Sequence, residues 1–114
     1  MPRVTKRIMD TIGSARSKNN VRIRLTYKRW AHIIDSHDYM SGNMDLVFET
    51  LEDPDYVVRG WTDELIALKH YEKTSISEKY VVVVYKEGRE EFVITAFMTT
   101  KHTPLMKRGI LWQR

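Results

Sequence analysis

Histidines, basic residues and hydroxyls set in apolar strands are the side chains here that could do chemistry. They are His32, His37, Arg29, Lys69, His70, Thr95, Thr99, Thr100, Lys101 and His102. Cutting RNA without a metal needs three things: a base for the ribose 2′-OH proton, cations for the charge growing on phosphorus, and an acid for the leaving 5′-oxygen. Histidine suits either proton role because its ordinary pKa, about 6.5, lies near working pH. Lysine or arginine suits the phosphate, and a threonine can orient it.

Each candidate also has a plain structural reading. His37 falls on the apolar side of a helix, where a packed, hydrogen-bonded histidine at a helix end is commonplace. His32 points to the wet side. Lys69 can snorkel along Tyr71, and Thr95 is an ordinary strand residue. Other chemistries are excluded outright. The chain has no cysteine, so there is no disulfide framework, thiolate site or Cys nucleophile. Neither GxxxxGK[ST] nor GxGxxG occurs. His32 and His37 are five apart and do not share a helix face, so no metal site and no cofactor is expected.

The stretch that positions these groups is residues 79–101, KYVVVVYKEGREEFVITAFMTTK, two apolar runs joined by a charged turn with one glycine. It predicts a β-hairpin in mid-sheet, with Val93, Thr95, Phe97 and Thr99 on one face. Upstream, Val21, Ile23 and Leu25 alternate with Arg22 and Arg24 as in an edge strand with one wet face. Beyond Thr26, a plausible N-cap, Trp30, Ile33, Ile34 and His37 share one side of a helix. Met44, Val47, Phe48 and Leu51 repeat that spacing after a cap at Ser41 or Asn43, and Pro54 stops the second helix. Residues 56–60 and 65–71 read as a strand pair, with Leu65, Ala67, Lys69 and Tyr71 on one face and Ile66, Leu68 and His70 on the other. Ile110, Leu111 and Trp112 add a last strand or dock on the sheet. The order predicts an α+β domain over residues 21–114, with two N-terminal helices packed on a four- to five-stranded antiparallel sheet. Residues 1–20 read as a basic arm, with a helix possible over residues 5–16.

At 114 residues, 42% hydrophobic and 30% charged, the chain has room for one core. Its net charge of +4 divides unevenly: residues 1–29 carry +8, residues 30–64 carry −8, and the last fourteen residues are basic again. Basic ends suit a polyanion such as RNA, though they also simply keep a small protein soluble. Neither a membrane-spanning run nor a signal peptide is present, so a cytoplasmic location is expected.

The succession LTYKRWAHIIDSH, LEDPDYV, ELIALKHY, KYVVVVYK, EFVITAFMTTK and a closing LW resembles the small phage-associated members of the barnase, EndoU, colicin and RelE-like nuclease superfamily. The likeness runs from about Val21 to Trp112. Trp30, His32, Ile33 and His37 match a W-x-H-I-x-x-x-H helix, and Val93, Ile94, Thr95 and Phe97 match VIT-x-[FY]. Where relatives often read RHPE, this chain has Ser36, His37, Asp38 and Tyr39; Lys69 matches an often-basic position only loosely. The resemblance implies metal-independent RNA cleavage, often by a toxin held in check by an antitoxin or immunity protein. It also favours His37, at the helix end, over His32.

These readings give a metal-independent endoribonuclease that leaves a 2′,3′-cyclic phosphate. The catalytic candidates are His37, His32, Lys69 and Thr95, and Arg22, Arg24, Arg29 and Lys101 are the substrate contacts. Lys69, Thr95 and a histidine are expected to open onto one hollow. The rivals are an RNA-binding module of the same fold without activity, and a protein-interaction component whose acidic middle meets a basic partner.

Overall fold

A computed structural model describes residues 10–114. Seven strands form one sheet: β1 (Thr11–Arg16), β2 (Arg22–Thr26), β3 (Tyr56–Arg59), β4 (Leu65–Tyr71), β5 (Lys79–Lys86), β6 (Phe92–Thr99) and β7 (Ile110–Gln113). Their order across the sheet is β1-β2-β6-β5-β4-β3-β7. Three helices lie wholly within the described residues, α1 (Tyr27–Ser36), α2 (Met44–Glu52) and the single turn α3 (Thr103–Met106), with a 3-10 turn at Asp38–Met40.

This overturns the expected two helices on a four- to five-stranded antiparallel sheet. The described fold is mostly sheet, and the sheet is mixed, because β2 runs parallel to β6 at Arg24 and Phe92. One strand lies outside the sequence expectation, and an expected last strand forms. Thr11–Arg16, read as part of an arm or helix, pairs with β2 and buries Ala15 against the core. Over Thr11–Arg16 a strand forms where a helix was possible, since β2 leaves backbone groups on its outer side that a strand satisfies, while Asp10 is helical. The rest of that expected helix, residues 5–9, lies outside the described residues. At the other end, Ile110–Gln113 pairs with β3 as the last strand.

The helices do form where the apolar spacing put them. Thr26 caps α1 by accepting from Arg29 N at 3.2 Å, and Trp30 and Ile33 are buried. Asn43 stands at the start of α2 without capping it; its amide donates instead to Tyr39 O at 2.8 Å. Both helices pack on one sheet face, over Ile23, Leu25, Ala67, Val81, Val83, Tyr85, Val93 and Ala96. The opposite, outer face carries a second apolar layer of Val58, Ile66, Leu68, Val82 and Val84, with Leu105 and Met106 from α3 packed on it.

Two details of β6 decide what reaches the outer face. A bulge between Val84 and Tyr85 sets Tyr85 against Val93 but Val84 against Thr95. Cross-strand partners share a face, so Val93 lies on the helix side while Thr95, Phe97 and Thr99 look outward. The simple alternation read from the sequence missed this one-residue shift. Beyond Phe92, β6 has no strand neighbour on the β2 side among the described residues, and α1 runs along it. The Tyr39 hydroxyl fills the gap, accepting from Met98 N at 3.2 Å and meeting Met98 O at 3.5 Å.

Candidate functional site

The outer face ends, at the α1 C-terminal side of the sheet, in a hollow of about 450 Å³ lined by His70, Glu78, Lys79, Tyr80, Thr100 and His102. Register builds it. His70 on β4 stands directly opposite Tyr80 on β5, and Tyr80 stands opposite Thr99 on β6. After Thr99 the chain turns back, helped by the Thr99 hydroxyl accepting from Lys101 N at 3.0 Å. That return lays the His102 ring flat on Tyr80, with centroids 4.1 Å apart and planes 22° apart. The His70 ring meets the same tyrosine at 5.1 Å, tilted by 56°. Two imidazoles thus pack against one phenol ring.

Each ring is held differently. His70 Nε2 lies 2.7 Å from Glu78 Oε2, a contact that needs a proton between them, and the His70 backbone N–H donates to Asp55 Oδ2 at 2.8 Å. With Nε2–H donating to Glu78, Nδ1 keeps a lone pair. His102 Nδ1 is buried and has no hydrogen-bond partner among the described residues, a costly arrangement that a ligand or a proton acceptor would relieve. Burial first, then neighbouring Tyr56 and the Asp55 and Glu78 charges, raise the Tyr80 pKa above its ordinary 10.0, so its hydroxyl stays a donor at neutral pH. A second hollow of about 220 Å³, lined by Asp55, Tyr56, Tyr80, Gln113 and Arg114, adjoins the first through Tyr80.

The residues singled out by sequence are dispersed. Lys69 and Thr95 do not open onto one hollow. Lys69 pairs with Val81 on the helix face, where its Nζ donates to Asp53 O at 2.9 Å and Oδ2 at 3.1 Å, holding the C-terminal end of α2. Thr95 looks to the outer face opposite Val84. His32 is exposed on α1. His37 ends α1 and does reach the outer face: its ring lies 5.7 Å from Phe97 and from Tyr39, and Nδ1 is 3.3 Å from the Tyr39 hydroxyl. Lys101 is exposed beside the hollow's Thr100.

The basic residues gather at the other end of the same face. Ile23 and Leu25 are buried on the helix side, so Arg22 and Arg24 look outward, next to Arg16 across the β1–β2 pair. Arg22 donates to Ser14 Oγ at 2.8 Å. The Arg29 guanidinium lies 5.5 Å from the Phe92 ring and, with Arg24, Thr26, Glu90 and Phe92, lines a shallow hollow of about 200 Å³. Across the face, then, run arginines, Phe92, Phe97 and the His70–Tyr80–His102 cluster.

The sequence offers His70 and His102 as candidates without assigning either a role, and it singles out neither Glu78 nor Tyr80. The available signal was the hairpin register: counting back from the loop between β4 and β5 sets His70 opposite Tyr80. Among the described residues no three His, Asp or Glu side chains come together as metal donors, and no helix is long and apolar enough to cross a membrane. No family model, curated protein or solved structure matches the chain.

Proposed function

We propose that this chain is an endoribonuclease of the barnase, EndoU, colicin and RelE-like kind, working at the His70–Tyr80–His102 hollow and acting in the cytoplasm. RNA lies across the outer sheet face, its phosphates against Arg16, Arg22, Arg24 and Arg29 and its bases against Phe92 and Phe97. His70 Nδ1, oriented by Glu78, takes the 2′-OH proton. The 2′-oxygen then attacks phosphorus, and the phosphorus–5′-oxygen bond breaks. His102 gives its proton to the 5′-oxygen, leaving a 2′,3′-cyclic phosphate and a free 5′-hydroxyl. Lys79, Lys101 and the Thr100 hydroxyl offset the charge on the transition state. Uncontrolled cleavage of this kind is toxic, which fits a toxin restrained by a partner protein.

The observation that carries the reading is that two imidazoles, one oriented by a carboxylate, share a single hollow on the face that also bears the arginines. The test is cleavage of total RNA in EDTA by the purified protein. Loss of either histidine removes roughly 10²–10⁴ in rate. His70→Ala and His102→Ala should each show that loss while keeping the parent's thermal midpoint within a few degrees; undiminished cleavage in both would refute the assignment.

The line of rings Phe92, Phe97 and Tyr80 favours one second reading, a single-stranded RNA-binding module without chemistry. It is distinguished by salt-sensitive binding that yields no cleavage products.

A further inference from the structure

We infer that the outer edge of β7 is a docking site for an extended, acidic segment of a partner protein, added to the sheet as an eighth strand. Among the described residues β7 is the last strand of the sheet and pairs only with β3. An unpaired strand edge presents a row of backbone donors and acceptors that a second strand satisfies. Ile110–Gln113 itself carries no charged side chain, and Ile110 and Leu111 are each 46% exposed. A register shift between Val57 and Val58 leaves Leu111 between the paired Ile110 and Trp112.

What surrounds this edge selects the occupant. Residues 101–114 contain no Asp or Glu. Lys107 and Arg108 immediately precede β7. The Arg108 guanidinium lies 4.6 Å from the Trp61 ring and donates to Arg59 O and Gly60 O, both neutral carbonyls. Lys18 lies 4.1 Å from the Trp112 ring. Among the described residues neither Lys18, Lys107 nor Arg108 pairs with a carboxylate, and residues 1–9 contain none. A second copy in a two-fold β7 to β7 pairing would set these cations against their own kind, which destabilises a cross-strand pair. A phosphate backbone would meet the cations but leave the strand's carbonyls and the Ile110–Leu111 pair unmatched. A strand alternating carboxylates with aliphatic residues matches all three features.

The test uses the full chain and two blocked nine-residue peptides, one alternating glutamate with valine and one alternating lysine with valine. The acidic peptide is expected to bind with an affinity that falls with salt, and to slow hydrogen exchange at β7 amides. Lys107→Glu with Arg108→Glu lowers that affinity at least tenfold and transfers preference to the basic peptide. Leu111→Pro abolishes binding of both, and the charge variants keep the inference testable should that variant not fold. Equal binding of both peptides, binding of neither, self-association of the chain through β7, or protection of β7 by an oligonucleotide but not by the acidic peptide would each overturn it. None of these readouts involves RNA cleavage, so this inference stands or falls apart from the proposed activity.

Discussion

Tyr39→Phe removes one oxygen atom and should cost more than its size suggests. In the parent the hydroxyl closes β6 at Met98, where among the described residues the strand has lost its neighbour. It accepts from Met98 N at 3.2 Å, and its contact to Met98 O, at 3.5 Å, is at the limit of a hydrogen bond. Met98 is buried, so its N–H has no easy recourse to water. Leaving a buried donor unsatisfied costs about 1–3 kcal/mol. Tyr39 itself is only half-buried, and partial access of water through its side places the expected loss at about 1–2 kcal/mol. For a domain of this size that corresponds to a fall of roughly 4–8 °C in Tm. Urea unfolding gives the free energy, and hydrogen exchange at the Met98 amide shows whether the loss is local. Phenylalanine keeps the ring against His37, so a loss produced by ring packing alone would not appear in this variant. A change below about 0.5 kcal/mol, with Met98 exchange unaltered, would refute the view that the hydroxyl substitutes for a missing strand.

Other expected outcomes follow from the same geometry. Gly13→Ala would place a Cβ 2.5 Å from Phe48 Cζ, so overpacking should destabilise by about 1–3 kcal/mol, and Phe48→Leu in the same chain should recover much of it in urea unfolding. Asp53 is held below its ordinary 3.8 chiefly by its hydrogen bond to Arg114 and then by Lys69. A lowered carboxylate contributes stability above its unfolded value and loses it as pH falls through the folded one. Hydrogen-exchange protection of β7 should therefore hold down to about pH 4 and decline below 3.8, ahead of β5, and Arg114→Ala should remove that difference. Arg22→Ala with Arg24→Ala should weaken RNA binding across sequences and reduce the slope of log affinity against log salt by about 0.7 for each arginine lost. An unchanged slope would remove both from the RNA path.

What the sequence disclosed and what it hid divide along range of interaction. Local signals were dependable. The spacing of Trp30 and Ile33, the Thr26 cap and the β5–β6 hairpin all lie within a few residues of their causes. The faces of β4 were also legible, since strict alternation put Lys69 with Ala67 and His70 with Leu68. Partnership between distant segments was not. Nothing near Thr11–Arg16 announces a strand until β2 is available to pair with it, and nothing near β2 announces a parallel neighbour sixty-odd residues later. The site suffered most from a single bulge. Counting Val93, Thr95, Phe97 and Thr99 onto one face takes for granted an unbroken ladder, and the shift at Val84 moves Val93 to the helix side. Lys69 failed for another reason: a lysine interrupting an apolar face has a local use, here donating to the backbone carbonyl and the carboxylate of Asp53 at the end of the helix above it. His70 and His102 were visible as residue types but not as a pair. They meet only because both the β4–β5 register and the return after Thr99 converge on Tyr80, so their common hollow is a property of the sheet and not of any stretch of sequence.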